Sequence, residues 1–99
     1  MKEIIGNFNK LFENRYRLAV MSLLMVNESM EFNALKQALD ITDGNLASHM
    51  TTLEKQYYIT SKKDFIGNRE ITFFSATEIG KKAFSEHLNA LEKILKHQK

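Results

Sequence analysis

The sequence contains no cysteine and no proline, and it has only four glycines in 99 residues. Without cysteine there is neither a disulfide framework nor a thiolate metal site, which fits a reducing cytoplasm. No stretch is apolar for long. The longest such run, Leu18 to Val26, is too short to span a bilayer. Asparagine and charged residues precede it and no small-residue cleavage site follows, which argues against a signal peptide. Strong charge is missing too: the net value is +2. That permits nucleic-acid binding without arguing for it, so any such case rests on where the charges lie. No nucleophile–base arrangement, paired carboxylates or phosphate loop stands out, so an enzyme is not expected and no cofactor is implied.

What is present describes an ordinary globular chain, 43% hydrophobic and 26% charged, with the size of one domain over residues 1–99. Its most informative stretch is Ile41 to Gln56. Leu46, Met50 and Leu53 recur at helical spacing and continue to Tyr57. At about 100° per residue, Gly44, Ser48, Thr51 and Lys55 fall on the opposite side, flanked by Asn45 and Thr52. Solvated helix faces are usually rich in Glu and Lys. This one is almost uncharged and its side chains are short. Such a helix suits a groove, and the DNA major groove has room for one.

Around it the chain reads as follows. Phe8 to Asn27 is broadly helix-periodic, with Arg15 and Arg17 on the polar side and Asn14 placed to cap a second helix. Residues 1 to 7 read as a tail. Met30 to Phe32 is a short extended piece. Asn33 is expected to cap a brief helix with Leu35, Ala38 and Leu39 inward, closed by Asp40. Thr42 caps the next helix, which gives a helix-turn-helix. Tyr57 to Phe65 and Glu70 to Ser75 then read as strands joined by a turn in which Gly67 and Asn68 tolerate positive φ. Lys62, Lys63 and Arg69 gather basic charge at this hairpin tip. Thr77 caps a last helix reaching about Lys96. Gly80 in its first turn costs about 1 kcal/mol of helix propensity and implies a close backbone contact.

The run ITDGNLASHMTTLEKQYYI, followed by a basic hairpin and then FSATEIGKKAF, resembles the short winged-helix transcriptional regulators of the MarR and ArsR-like superfamily. The likeness spans about Phe8 to Leu95. It implies a mainly α fold with a small β-hairpin: a winged helix-turn-helix whose long N- and C-terminal helices form a dimer seam. It also implies a cytoplasmic homodimer that binds double-stranded DNA and regulates transcription. The recognition helix, about 43–56, would enter the major groove. The wing, about 62–70, would meet the backbone or minor groove. Met50 stands where relatives carry leucine, and the wing lacks the several arginines of many relatives. The cysteine metal-sensing pair of the ArsR branch is absent.

Residue by residue, the resemblance places Asn45, Ser48, Thr51 and Thr52 toward bases, with His49 at the helix edge and Arg69 on the wing. Lys62, Lys63, Asn68 and Lys55 complete the expected DNA-facing set, with Arg15 and Arg17 read chiefly as a solvated face. His49 is expected to be structural, bonded to backbone or phosphate. It is not expected to bind metal, because His87 and His97 are far along the chain. Wing lysines also serve to guard a strand edge. Phe8, Leu11, Phe12, Phe84, His87, Leu88, Leu91 and Leu95 are the expected dimer-seam residues. Two alternatives stand beside this reading. One is a protein-interaction winged helix without DNA binding. The other is a ligand-gated regulator with a seam pocket lined by Phe12, Tyr16 and Phe84.

Overall fold

A computed structural model describes residues 1–97; Gln98 and Lys99 lie outside the described residues. Two asparagines divide the N-terminal region. Asn9 caps a 3₁₀ turn, Lys10–Glu13, by accepting from the Leu11 N–H at 2.9 Å. Asn14 then caps α2, Arg15–Val26, by accepting from the Tyr16 and Arg17 N–H groups. Each side chain satisfies an orphan donor that would otherwise be left at a helix start. The N-terminal segment is therefore not one helix from Phe8. Residues 1 to 7 are not a featureless tail either, since Lys2–Ile5 forms one helical turn, α1.

α2 is the central rod. Val20, Met21 and Leu24 are fully buried, as an almost all-apolar sequence requires. β1, Met30–Glu31, leads directly into α3, Phe32–Leu39. The cap position of α3 is Glu31, so Asn33 lies inside the first turn and does not cap it. Leu35 is buried, whereas Ala38 is exposed, because α3 buries only a narrow stripe on so small a core.

α3 ends with Asp40 in the left-handed region at φ 49°. The Asp40 N–H donates to the Gln37 carbonyl and the Ile41 N–H to the Lys36 carbonyl. This Schellman arrangement turns the chain and tucks Ile41 into the core. Thr42 then caps α4, Asp43–Lys55, accepting from the Asn45 N–H. Leu46, Met50 and Leu53 are buried, so α4 presents the expected inward face.

β2, Ile59–Ile66, and β3, Arg69–Ala76, form an antiparallel ribbon, and β1 adds to the other edge of β3. Only the base of the ribbon meets the core, through Ile59 and Phe74. Gly67 alone takes positive φ in the turn, at 65°; Asn68 does not. A left-handed first position with Gly matches the II′ hairpin class. The ribbon protrudes, and the chain is elongated at 56 × 25 × 21 Å. α5, Glu78–His97, closes the fold. Thr77 accepts from the Gly80 N–H at 3.0 Å as its cap. A Cβ on Gly80 would overlap the Tyr58 carbonyl, so this glycine is what lets α5 lie against the base of β2.

Candidate nucleic-acid interface

α4 displays Asn45, Ser48, Thr51 and Lys55 to solvent, with Thr52 half-buried beside them. The Thr51 hydroxyl donates to the Ala47 carbonyl at 2.9 Å, and that of Thr52 to the Ser48 carbonyl at 3.1 Å. Their donors are therefore used within the helix, and each oxygen faces outward as an acceptor beside a methyl group. The side chains of Asn45 and Ser48 make no hydrogen bond among the described residues, so both keep their full donor and acceptor capacity. At the helix start, Asp43 lies 2.8 Å from the Lys36 ammonium, which offsets the one acidic charge near this surface.

His49 sits half-buried at the edge of this face. Its ring stacks on Tyr16, with centroids 5.8 Å apart. Its Nδ1 is 3.1 Å from a terminal nitrogen of Arg17, whose Nε donates to the Leu11 carbonyl at 2.8 Å. The expected backbone partner is thus replaced by a guanidinium. Because that group only donates, Nδ1 is the acceptor and the neutral ring carries its proton on Nε2. Burial, and then the charge of Arg17, hold the His49 pKa below its usual value. Arg17 is correspondingly not a freely solvated residue: it ties the 3₁₀ turn, α2 and α4 together. Arg15 does remain exposed and lies 5.0 Å from the Tyr16 ring centre. Nothing in the helical periodicity of Phe8 to Asn27 distinguishes Arg17 from Arg15, and only the tertiary crossing of α2 and α4 does.

On the ribbon, cross-strand partners share a face and neighbours along a strand alternate. Pairing of Lys62 with Phe73 and of Ile66 with Arg69 puts Lys62 and Arg69 on one face. Lys63, opposite Thr72, falls on the other, where its ammonium lies 3.5 Å from Glu70. The basic tip is therefore split between faces. Lys62 and Arg69 have no acidic partner among the described residues. Phe65 and Ile66 are exposed at the very tip.

α4 ends in a second Schellman motif. The Tyr57 N–H donates to the Glu54 carbonyl and the Tyr58 N–H to the Leu53 carbonyl. Tyr57 occupies its left-handed position at φ 60°. Its ring is 73% exposed and does not extend the buried stripe of α4; the strand starts only at Ile59. Gly is the usual occupant of that position, and another residue there costs about 1–2 kcal/mol. Sequence reading misses this because Tyr57 falls on the helical period. Among the described residues, no group of three or more His, Asp or Glu side chains could hold a metal ion.

Of the expected seam residues, Phe12, Phe84 and His87 are buried within the chain itself. Phe12 meets Phe84 edge-on at 5.3 Å, and the His87 Nδ1 accepts from the Asn9 N–H at 3.0 Å. These three side chains are core, because α5 packs the 3₁₀ turn against the base of the ribbon. Phe8 and Leu11 are half-buried. Leu88, Leu91 and Leu95 are exposed, at 44%, 39% and 70%.

A helix-turn-helix followed by a ribbon and a covering helix is matched over residues 16–95 by the model of the winged helix DNA-binding domain. The chain belongs to that family. It is 34% identical over 88 residues to an uncharacterised protein of Methanocaldococcus jannaschii, covering 89% of this chain and 96% of that one. A transcriptional regulator homologue from Pyrococcus horikoshii superposes with a TM-score of 0.85 at 28% identity, over 98% of this chain and 94% of that one. The adhesin competence repressor of Streptococcus pyogenes superposes at 0.66 and 25% identity, over 86% of this chain and 62% of that one. The winged-helix regulator resemblance is thereby shown, and with it the mainly helical fold carrying a small antiparallel sheet. At the coarse level the chain is a DNA-binding regulator of transcription. No helix among the described residues is long and apolar enough to cross a membrane.

Proposed function

We propose that this single-domain chain is a cytoplasmic, sequence-specific transcriptional repressor that binds double-stranded DNA as a homodimer. The observation that carries the reading is the outward face of α4: Asn45, Ser48, Thr51 and Thr52 are short, uncharged and polar. A helix with that face can approach base edges closely, and amide and hydroxyl groups can pair with them. Lys62 and Arg69 on one ribbon face, with Asn68 at the turn, supply sequence-independent contacts to phosphate or the minor groove. Lys55 adds a cation at the far end of α4, and the His49 Nε2–H is a further donor for a phosphate.

Leu88, Leu91 and Leu95 support the dimer, since their exposure is disproportionate for so small a chain. Phe8 and Leu11 flank that seam in this reading. Repression by occlusion is favoured by the repressor among the similar structures. The protein-interaction alternative loses ground because the α4 face is polar. The ligand-gated alternative loses ground because Phe12 and Phe84 pack on each other in the core.

The test is selection of bound sites from a random DNA pool, with the mass of the free and bound protein measured alongside. The expected product is a two-fold symmetric site with half-site centres about 34 Å apart, held by two chains. A pool that stays random after selection, or a single chain per site, overturns the reading.

A further inference from the structure

Tyr57 is held in a conformation that penalises any side chain, and its ring gains almost no burial in return. The two hydrogen bonds that close α4 there come from backbone N–H groups and would form equally well with glycine. The other Schellman turn of the chain carries Asp40, a residue type that tolerates the left-handed region through its short polar side chain. A bulky aromatic has no such excuse. Strain kept without local compensation points to a task outside the fold.

The surroundings indicate which task. Tyr57 lines an open recess with Thr51, Glu54 and Lys55. Thr51 and Lys55 belong to the α4 face described above, and the Lys55 ammonium has no acidic partner among the described residues. The carboxylate of Glu54 is engaged by the Ser61 hydroxyl at 3.3 Å, on the side of the ribbon. What the recess offers an approaching molecule is thus an ammonium and a phenol hydroxyl, a donor pair suited to an anionic oxygen rather than to an apolar protein surface.

We propose that Tyr57 is a DNA-backbone contact, its hydroxyl donating to a phosphate at the C-terminal end of α4 beside Lys55. The proposal rests on the DNA-binding reading. It means that the chain gives up stability at this turn for affinity that does not depend on sequence.

The experiment compares the wild type with Tyr57→Gly and Tyr57→Phe, by thermal melting and by titration with random-sequence duplex DNA over a salt series. Tyr57→Gly is expected to melt about 2–6 °C higher, as relief of the left-handed strain outweighs the freedom of glycine in the unfolded chain. Its DNA affinity is expected to fall about tenfold, the usual loss for one hydrogen bond to a charged group. Tyr57→Phe is expected to lose affinity without the gain in melting temperature. The dependence of binding on salt stays unchanged in both, because a neutral hydroxyl displaces no counterion. Wild-type affinity in Tyr57→Gly, or a lower melting temperature, overturns the assignment while leaving DNA binding intact. If the wild type itself fails to bind duplex, the broader reading falls first and takes this one with it.

Discussion

The Nδ1 of His49 accepts from Arg17 across 3.1 Å, so a ring on the candidate recognition helix is held neutral by a cation on the central helix. Protonation would remove the acceptor and set two positive charges against each other. The folded pKa lies below the unfolded value near 6.5, through burial first and the Arg17 charge second. The unfolded chain therefore binds the proton more readily. The contribution to stability is complete above about pH 6.5 and is lost as pH falls through the lower folded pKa. Melting temperature of the wild type should drop more steeply on acidification below about pH 6.5 than that of His49→Gln, which keeps an acceptor but does not titrate. Parallel curves would show that the contact is silent.

Two glycines make opposite predictions. At Gly80 a methyl group would overlap the Tyr58 carbonyl and come within 2.8 Å of its carbon, and both partners are backbone. Gly80→Ala should cost about 2–3 kcal/mol, the upper range for overpacking, because neither segment can yield alone. At Gly44, in the first turn of α4, an added Cβ meets nothing within 4 Å. Gly44→Ala should stabilise the chain by up to about 1 kcal/mol. Urea midpoints of the two variants measure both, and a shift of the same sign in each would refute the contrast.

The same two positions show what could be read from the chain before it was folded. Gly80 announces a close approach because a glycine in a helical pattern is costly, and the approach is there. Leu46, Met50 and Leu53 announce the inward face of α4 because period and burial coincide. Other features escape that logic. Asn33 looks like a cap, yet the chain enters α3 straight from β1, so Glu31 takes the position. Tyr57 continues the apolar period, yet the helix has already ended. Phe12, Phe84 and His87 share a stripe with Leu88, Leu91 and Leu95, and only packing separates core from surface along it. Arg17 becomes distinct from Arg15 only where α2 crosses α4. The candidate DNA-facing residues of α4 were legible; the unequal roles of the wing cations were not, because strand register decides them.

That register gives a quantitative test at the wing. Arg69 has no acidic partner among the described residues and shares a face with Lys62, whereas Lys63 is on the other face beside Glu70. Arg69→Ala should weaken binding to all duplexes alike and reduce the slope of log affinity against log salt by about 0.9, one phosphate contact. Lys63→Ala should change the slope less, since its charge is already partly offset. Equal slopes for Arg69→Ala and wild type would remove the wing from the interface.

On α4 the expected effect is of another kind. Asn45 and Ser48 keep unused hydrogen-bonding groups on the exposed face, while Thr51 and Thr52 keep acceptors only. Ser48→Ala or Asn45→Ala should alter which sequences are selected, by about 1–3 kcal/mol at one base position, and leave affinity for random duplex nearly unchanged. Recovery of the wild-type site by both variants would deny α4 a role in base recognition.

The exposed leucines of α5 separate association from folding. Leu91 is 39% exposed within one chain and lies one turn from both Leu88 and Leu95. A glutamate at position 91 puts a charge into the proposed seam without disturbing the core, so Leu91→Glu should stay folded, lose the dimer mass and bind a two-fold site far more weakly. Phe84→Ala acts on the same helix but on its inner face, where Phe84 meets Phe12. It should cost about 3–5 kcal/mol of stability through the cavity it leaves. Sedimentation of both variants, with circular dichroism as the check on folding, distinguishes the two faces. A folded Leu91→Glu variant that remains a dimer would move the seam elsewhere on the molecule.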